Sequence, residues 1–179
     1  MYVFFLSAMV AEYMASSNFY LNFFWILLSF SICFISGIIL LFPFLKKGNL
    51  KFKGTNLIFI LIVIAGLSYI ILSIYVKSIK ALNSEGFFTF VTIIFSAFIL
   101  SCFYITSTYN HPKSILLFLT GIGYGITCIA SLIMFTFNID NVLLIGFINL
   151  SETTAQFCFA YFMIDYNEVL DNKDLLDKI

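Results

Sequence analysis

The sequence predicts an all-α, polytopic membrane bundle, and three observations carry that expectation. Of 179 residues, 62% are hydrophobic and 10% charged, with mean hydropathy +1.08, whereas soluble domains hold about half apolar and a quarter charged residues. Apolar runs recur along the chain, and at about 20 residues per span they make about six transmembrane helices, or about five if the first lies in the interface. Between the runs stand clusters of Asn, Asp, Gly, Pro and Lys, which punctuate helices. Residues 1–164 form the expected bundle and 165–179 a short acidic tail.

The first segment, Tyr2 to Ala15, measures about 21 Å as a helix, short against a hydrocarbon core of about 30 Å. It reads as a half-span or a tilted, partly interfacial helix, with Ala8, Ala11 and Ala15 as a small face for close helix contact. Glu12 beside that face is either an interfacial carboxylate or a partner for the last span. Its start lacks a basic stretch and an A-x-A site, which argues against a cleaved signal peptide. Asn18 and Asn22 mark a turn. The second segment runs from Phe23 to Leu45, with Pro43 expected to kink or end it, and Ser29, Cys33, Ser36 and Gly37 form a small stripe along it.

Lys46, Lys47, Lys51 and Lys53 then make the strongest basic cluster. The third segment covers Leu57 to Val76 and the fourth Phe87 to Thr108. A turn follows at Tyr109 to Lys113, where Pro112 holds His111 extended; this lone histidine reads as a solvated or headgroup-level side chain. The fifth segment, Ser114 to Phe137, holds Gly121 and Gly125 in a G-x-x-x-G pair that predicts close backbone approach, beside a small row of Gly123, Thr127 and Ser131. The sixth is Val142 to Ile164. The tail alternates Val169, Leu170, Leu175 and Leu176 with charges, as a short surface helix would. With all six segments spanning, lysines of the 46–53 cluster, Lys113 and the tail fall on one side, so the positive-inside rule places both termini in the cytoplasm; if the first segment does not span, the first residues switch sides.

Charge excludes several functions. Nine lysines, no arginine and nine acids sum to zero, which leaves no basic surface for nucleic acid and no arginine-bearing voltage sensor. Cys33, Cys102, Cys128 and Cys158 form no C-x-x-C pair and read as small packing residues. With a single histidine, no metal site can rest on paired imidazoles, and nothing in the sequence calls for a cofactor. The glycines near Gly121 lack the preceding strand and following acid of a dinucleotide fingerprint. No internal repeat of the inverted-transporter kind is visible.

Polarity concentrates in the last span. Asn149, Glu152 and Gln156 follow i, i+3, i+7 spacing on one helix face, with Thr153 beside them. A carboxyl at membrane depth is costly and is a functional candidate by default. The face is expected to look into the bundle, towards hydroxyls and amides such as Ser101, Tyr104, Thr120, Tyr124 and Thr127.

Leu67-Ser68-Tyr69 at a span end, the glycine-led span Gly121 to Ser131 and Ala155-Gln156 in the final helix together resemble the YhhN-type, lysoplasmalogenase-like membrane family. The resemblance implies a shared fold and lineage. The family's Gly-Asp and Ser-Asp pairs align with Ser36-Gly37 and Cys128-Ile129, which hold no carboxylate, so it implies a lost hydrolase activity.

Three functions follow as expectations. The first is a non-enzymatic protein acting through helix association, with a protein partner or as a homo-oligomer in the lipid bilayer, as a complex subunit or pore-type accessory protein. The second is a small-solute or proton-coupled transporter or binding subunit using Glu152. The third is a lysoplasmalogenase-like lipid hydrolase, for which no complete catalytic set is present.

Overall fold

The computed structural model describes residues 1–47, 66, 69, 71, 73, 85–109, 111–137 and 141–171. These residues form helices and no strand: α1 (Tyr2–Lys47), α2 (Glu85–Thr108), a 3-10 turn (Pro112–Ser114), α3 (Ile115–Phe137), α4 (Val142–Ile164) and α5 (Tyr166–Asp171). Most of the third segment, the lysines at 51, 53, 77 and 80, and residues 172–179 lie outside the described residues. Leu21–Lys47, Gly86–Thr108, Pro112–Met134 and Val142–Ile164 are each long and apolar enough to cross a bilayer, so the chain is an integral membrane helical bundle. α1 packs on α2, α2 on α3, and α3 on α4.

The first segment takes a more central place than its length suggests. α1 breaks at Asn18, whose φ of −164° and ψ of 100° are extended, and its two arms fold back as a hairpin. A Cβ on Gly37 would lie 3.1 Å from the Phe4 ring, and the Phe4 and Phe34 rings both meet Tyr124 edge-on. The sequence supplies the turn chemistry: Asn18 Oδ1 accepts from the Leu21 N–H at 3.1 Å, capping the second arm. Asn22 Nδ2 donates to Met14 O at 3.2 Å and Ser17 Oγ at 3.0 Å. The short arm is therefore not an interfacial helix lying apart. Its Phe4, Ala8 and Ala11 are fully buried, while Ala15 is half-buried. Pro43 does not end the second arm, which continues to Lys47.

Rings from both arms of α1 and from α2, α3 and α4 fill the centre. Phe4 stacks near Phe159 with centroids 4.5 Å apart, and Phe34 and Phe98 approach Tyr124 edge-on at 5.6 and 5.9 Å. Gly37 makes room for this cluster, since a Cβ there would fall 2.6 Å from the Phe98 ring.

Gly121 packs closely against α2 through the Phe103 ring, while the close backbone approach to α4 is made by Gly123 and Gly125 stands clear. A Cβ on Gly123 would lie 2.8 Å from Ala155 Cβ and 3.1 Å from Ser151 O, whereas Gly121 faces the Phe103 ring and Gly125 has only Ile99 at 3.8 Å. Ser151 Oγ donates to Gly123 O at 3.1 Å across this contact, while Thr120 Oγ1 donates to Leu116 O of its own helix at 2.8 Å and lies 3.4 Å from Ala155 O. Small residues admit the second backbone and hydroxyls fasten it. Elsewhere the hydroxyls turn back on their own helices, as Ser96 does to Thr92 O and Ser101 to Ala97 O, which satisfies them without a neighbour.

One end of the bundle is tied by polar contacts. Lys113 Nζ stands 2.6 Å from Asp165 and 3.7 Å from Glu168, Lys47 Nζ donates to Leu170 O at 3.4 Å, and Tyr109 OH donates to Phe44 O at 3.0 Å. His111 is not a solvated loop residue. Its Nδ1 accepts from the Lys113 N–H at 3.2 Å, its Nε2 lies 3.8 Å from Glu168, and its side chain is 11% exposed. α5 is more than a surface helix, because Val169 is fully buried.

Candidate functional site

Four helical faces with the same spacing line a half-open cavity of about 490 Å³. Phe23, Ile26, Leu27, Phe30 and Phe34 come from the second arm of α1, and Phe88, Val91, Thr92 and Phe95 from α2. Tyr124, Thr127, Cys128 and Ser131 come from α3, and Ile145, Ile148, Asn149 and Glu152 from α4. Steps of three and four residues keep each set on one side of its helix. The short arm closes the cavity with Glu12, Ala15 and Ser16, and Ile71 adds a wall residue.

The polar groups gather at one place on this apolar wall, where Glu12 is exposed and Glu152 buried. Gln156 Nε2 donates to Glu12 Oε1 at 2.6 Å, and Glu152, one helical turn before Gln156, lines the same cavity as Glu12. Glu152 is 6% exposed. The hairpin at Asn18 creates this meeting, since it returns Glu12 to the level of α4. No lysine or histidine lines the cavity among the described residues.

Three buried polar atoms here, Tyr124 OH, Thr127 Oγ1 and Glu152 Oε1, have no hydrogen-bond partner among the described residues. Their residues are 2%, 8% and 6% exposed. Buried polar groups are paired in the great majority of cases, and leaving one unpaired costs about 1–3 kcal/mol. All three belong to residues that line the same cavity, so the protein tolerates this cost where a guest molecule would meet them.

The expected polar row is thus split by the fold. Glu152 is buried, Gln156 half-buried, and Asn149 exposed yet on the cavity wall, while Thr153 is exposed and absent from that wall. Tyr124 and Thr127 join Glu152 around the cavity, but Ser101 and Thr120 do not bond to it and serve helix backbones instead. The partner is Glu12. The phenylalanine walls and Ser131 escaped the sequence reading as site residues, although their three- and four-residue spacing was present to be seen. The cysteines are all free, and no group of three or more His, Cys, Asp or Glu among the described residues could hold a metal.

Comparison with family models, with curated proteins and with solved structures gives no match to this chain.

Proposed function

We propose that the protein is a small membrane transporter or binding subunit that takes a largely apolar solute into the cavity above Glu12 and Glu152. The observation that carries this reading is the set of three unpartnered buried polar atoms around an otherwise apolar cavity. Ligand sites have this composition: apolar walls, with a few convergent polar groups that fix orientation. The volume of about 490 Å³ also falls in the usual range of about 300–1,000 Å³ for small-molecule sites.

The small-residue faces that motivate an association reading are occupied inside the chain. Gly123 meets α4, Gly121 meets Phe103, and Ala8 and Ala11 are buried. This leaves the cavity as the better-supported seat of function. We further propose that the end bearing Lys46, Lys47 and Lys113 faces the cytoplasm, in keeping with the positive-inside rule.

The test fills the cavity. Ser131→Phe projects a ring into it from α3. Purified protein in maltoside micelles is challenged with apolar probes of positive, negative and zero charge, and binding is read by equilibrium dialysis. Saturable binding of at least one probe, reduced at least tenfold by Ser131→Phe in a protein of unchanged helicity, supports the proposal. Binding that ignores the substitution, or no saturable binding at all, overturns it.

A further inference from the structure

Building on that cavity reading, we infer that the solute is a lipophilic organic cation, with its positive head between the Glu12 and Glu152 carboxyls and its apolar body against the phenylalanine walls.

The charges that face the site from each packed element decide the sign. The short arm of α1 contributes Glu12, and α4 contributes Glu152. α3 contributes the phenol of Tyr124 and the thiol of Cys128; the second arm of α1 brings the buried thiol of Cys33 near both acids, although not onto the wall, and α2 contributes no titratable side chain to the wall. Two acids and no described base make a site that an anion cannot enter without unpaired repulsion. A neutral solute would leave the carboxyls as they are.

Aromatic walls favour the same guest. Phe30, Phe34, Phe88, Phe95 and Tyr124 line the space, and ring faces attract cations within about 6 Å of their centroids. The unpartnered Glu152 Oε1 and Tyr124 OH present acceptor oxygens, which suits a positive head. A zwitterionic lipid headgroup fits poorly, because its phosphate would enter beside two acids with no described lysine or histidine to pair it.

A cation and a proton then compete for the same carboxyls. Where a carboxyl there carries a proton, arrival of a monovalent cation sends that proton to the surrounding water, and the charge at the site balances. Cation affinity accordingly rises with pH.

Tetraphenylphosphonium and tetraphenylborate, alike in shape and opposite in charge, test the inference, with triphenylphosphine oxide as a neutral companion. Full-length protein in maltoside micelles is dialysed against each, with empty micelles as the blank. Saturable phosphonium binding without borate binding is expected, at least tenfold tighter at pH 8.5 than at pH 5.5. Glu152→Gln and Glu12→Gln should each weaken phosphonium binding at least tenfold. The charge preference in unmodified protein keeps the test decisive if either variant fails to fold. Lysophosphatidylcholine should not displace the phosphonium; displacement assigns the site to a choline headgroup and overturns the free-cation inference. Borate or phosphine oxide binding as tightly as the phosphonium, sensitive to Ser131→Phe, refutes the cation inference and leaves the cavity reading standing. If no probe binds saturably, both fall.

Discussion

At the scale of single residues, the three glycines of α3 separate a sequence motif from the packing it stands for. Gly121 and Gly125 have the spacing of a helix-pairing motif, yet Gly123 carries the close contact, with Ala155 Cβ 2.8 Å from where its own Cβ would sit. Alanine gains about 1 kcal/mol over glycine in a helix, and this gain is common to any of the three sites. At Gly123 overpacking against α4 opposes it by about 1–3 kcal/mol. Gly125→Ala, with nothing nearer than 3.8 Å, should therefore melt above Gly123→Ala, the two differing by about 1–3 kcal/mol. Thermal unfolding in one detergent checks the order; equal melting temperatures would show that α3 and α4 are not held at this contact. The motif was legible, but which glycine faces the neighbour was not, because adjacent faces of a span are similarly apolar. Glu12 fares better, since a partnership with the last span was one of its two readings and its bond from Gln156 realises it, although the hairpin that brings the two together was not legible in its own neighbours.

At the scale of elements, span positions were readable because lipid imposes a length and an apolar composition. α4 has its expected bounds, α3 starts at Ile115 rather than Ser114, and α2 at Glu85 rather than Phe87. The cavity-facing stripes were harder to see. In a soluble helix the core face is the apolar one, whereas here the outward Ile93, Leu119 and Leu150 are as apolar as the inward residues. Alternation of polarity therefore carries no direction, and only the turn residues fix how the first arm returns. Asn18 and Asn22 are those residues. Asn18→Ala removes the cap of the second arm and should cost about 1 kcal/mol, and adding Asn22→Leu removes the bonds to Met14 and Ser17. The double variant should lose probe binding as well as stability, because Glu12 reaches the site only through this turn. Binding retained at full strength in the folded double variant would place the hairpin's role in stability alone.

At the scale of the molecule, the ends of the helices assign sides without reference to function. Lys47 meets Leu170, Lys113 meets Asp165, and Tyr109 meets Phe44, so the C-terminal ends of α1, α2 and α4 and the start of α3 share one face. Ser17, Gly86 and Asn141 then lie at the other, because each stands at the opposite end of its helix. The cavity opens its wall from Ser16, Met134 and Ile145 inward to Phe34 and Glu152, which associates its outer part with the Ser17 and Asn141 face. Three native thiols, Cys33, Cys102 and Cys158, are buried and should stay silent to a membrane-impermeant maleimide. Cysteines placed at Lys47, Lys113 and Glu168 should label together from one side of oriented vesicles, and cysteines at Ser17 and Asn141 only from the other. If the lysine end is cytoplasmic, inverted vesicles expose the first set and right-side-out vesicles the second; the reverse pattern keeps the shared face but sets the cavity's outer part towards the cytoplasm. Labelling of Lys47 and Lys113 positions from opposite sides would contradict the contacts that tie that end together.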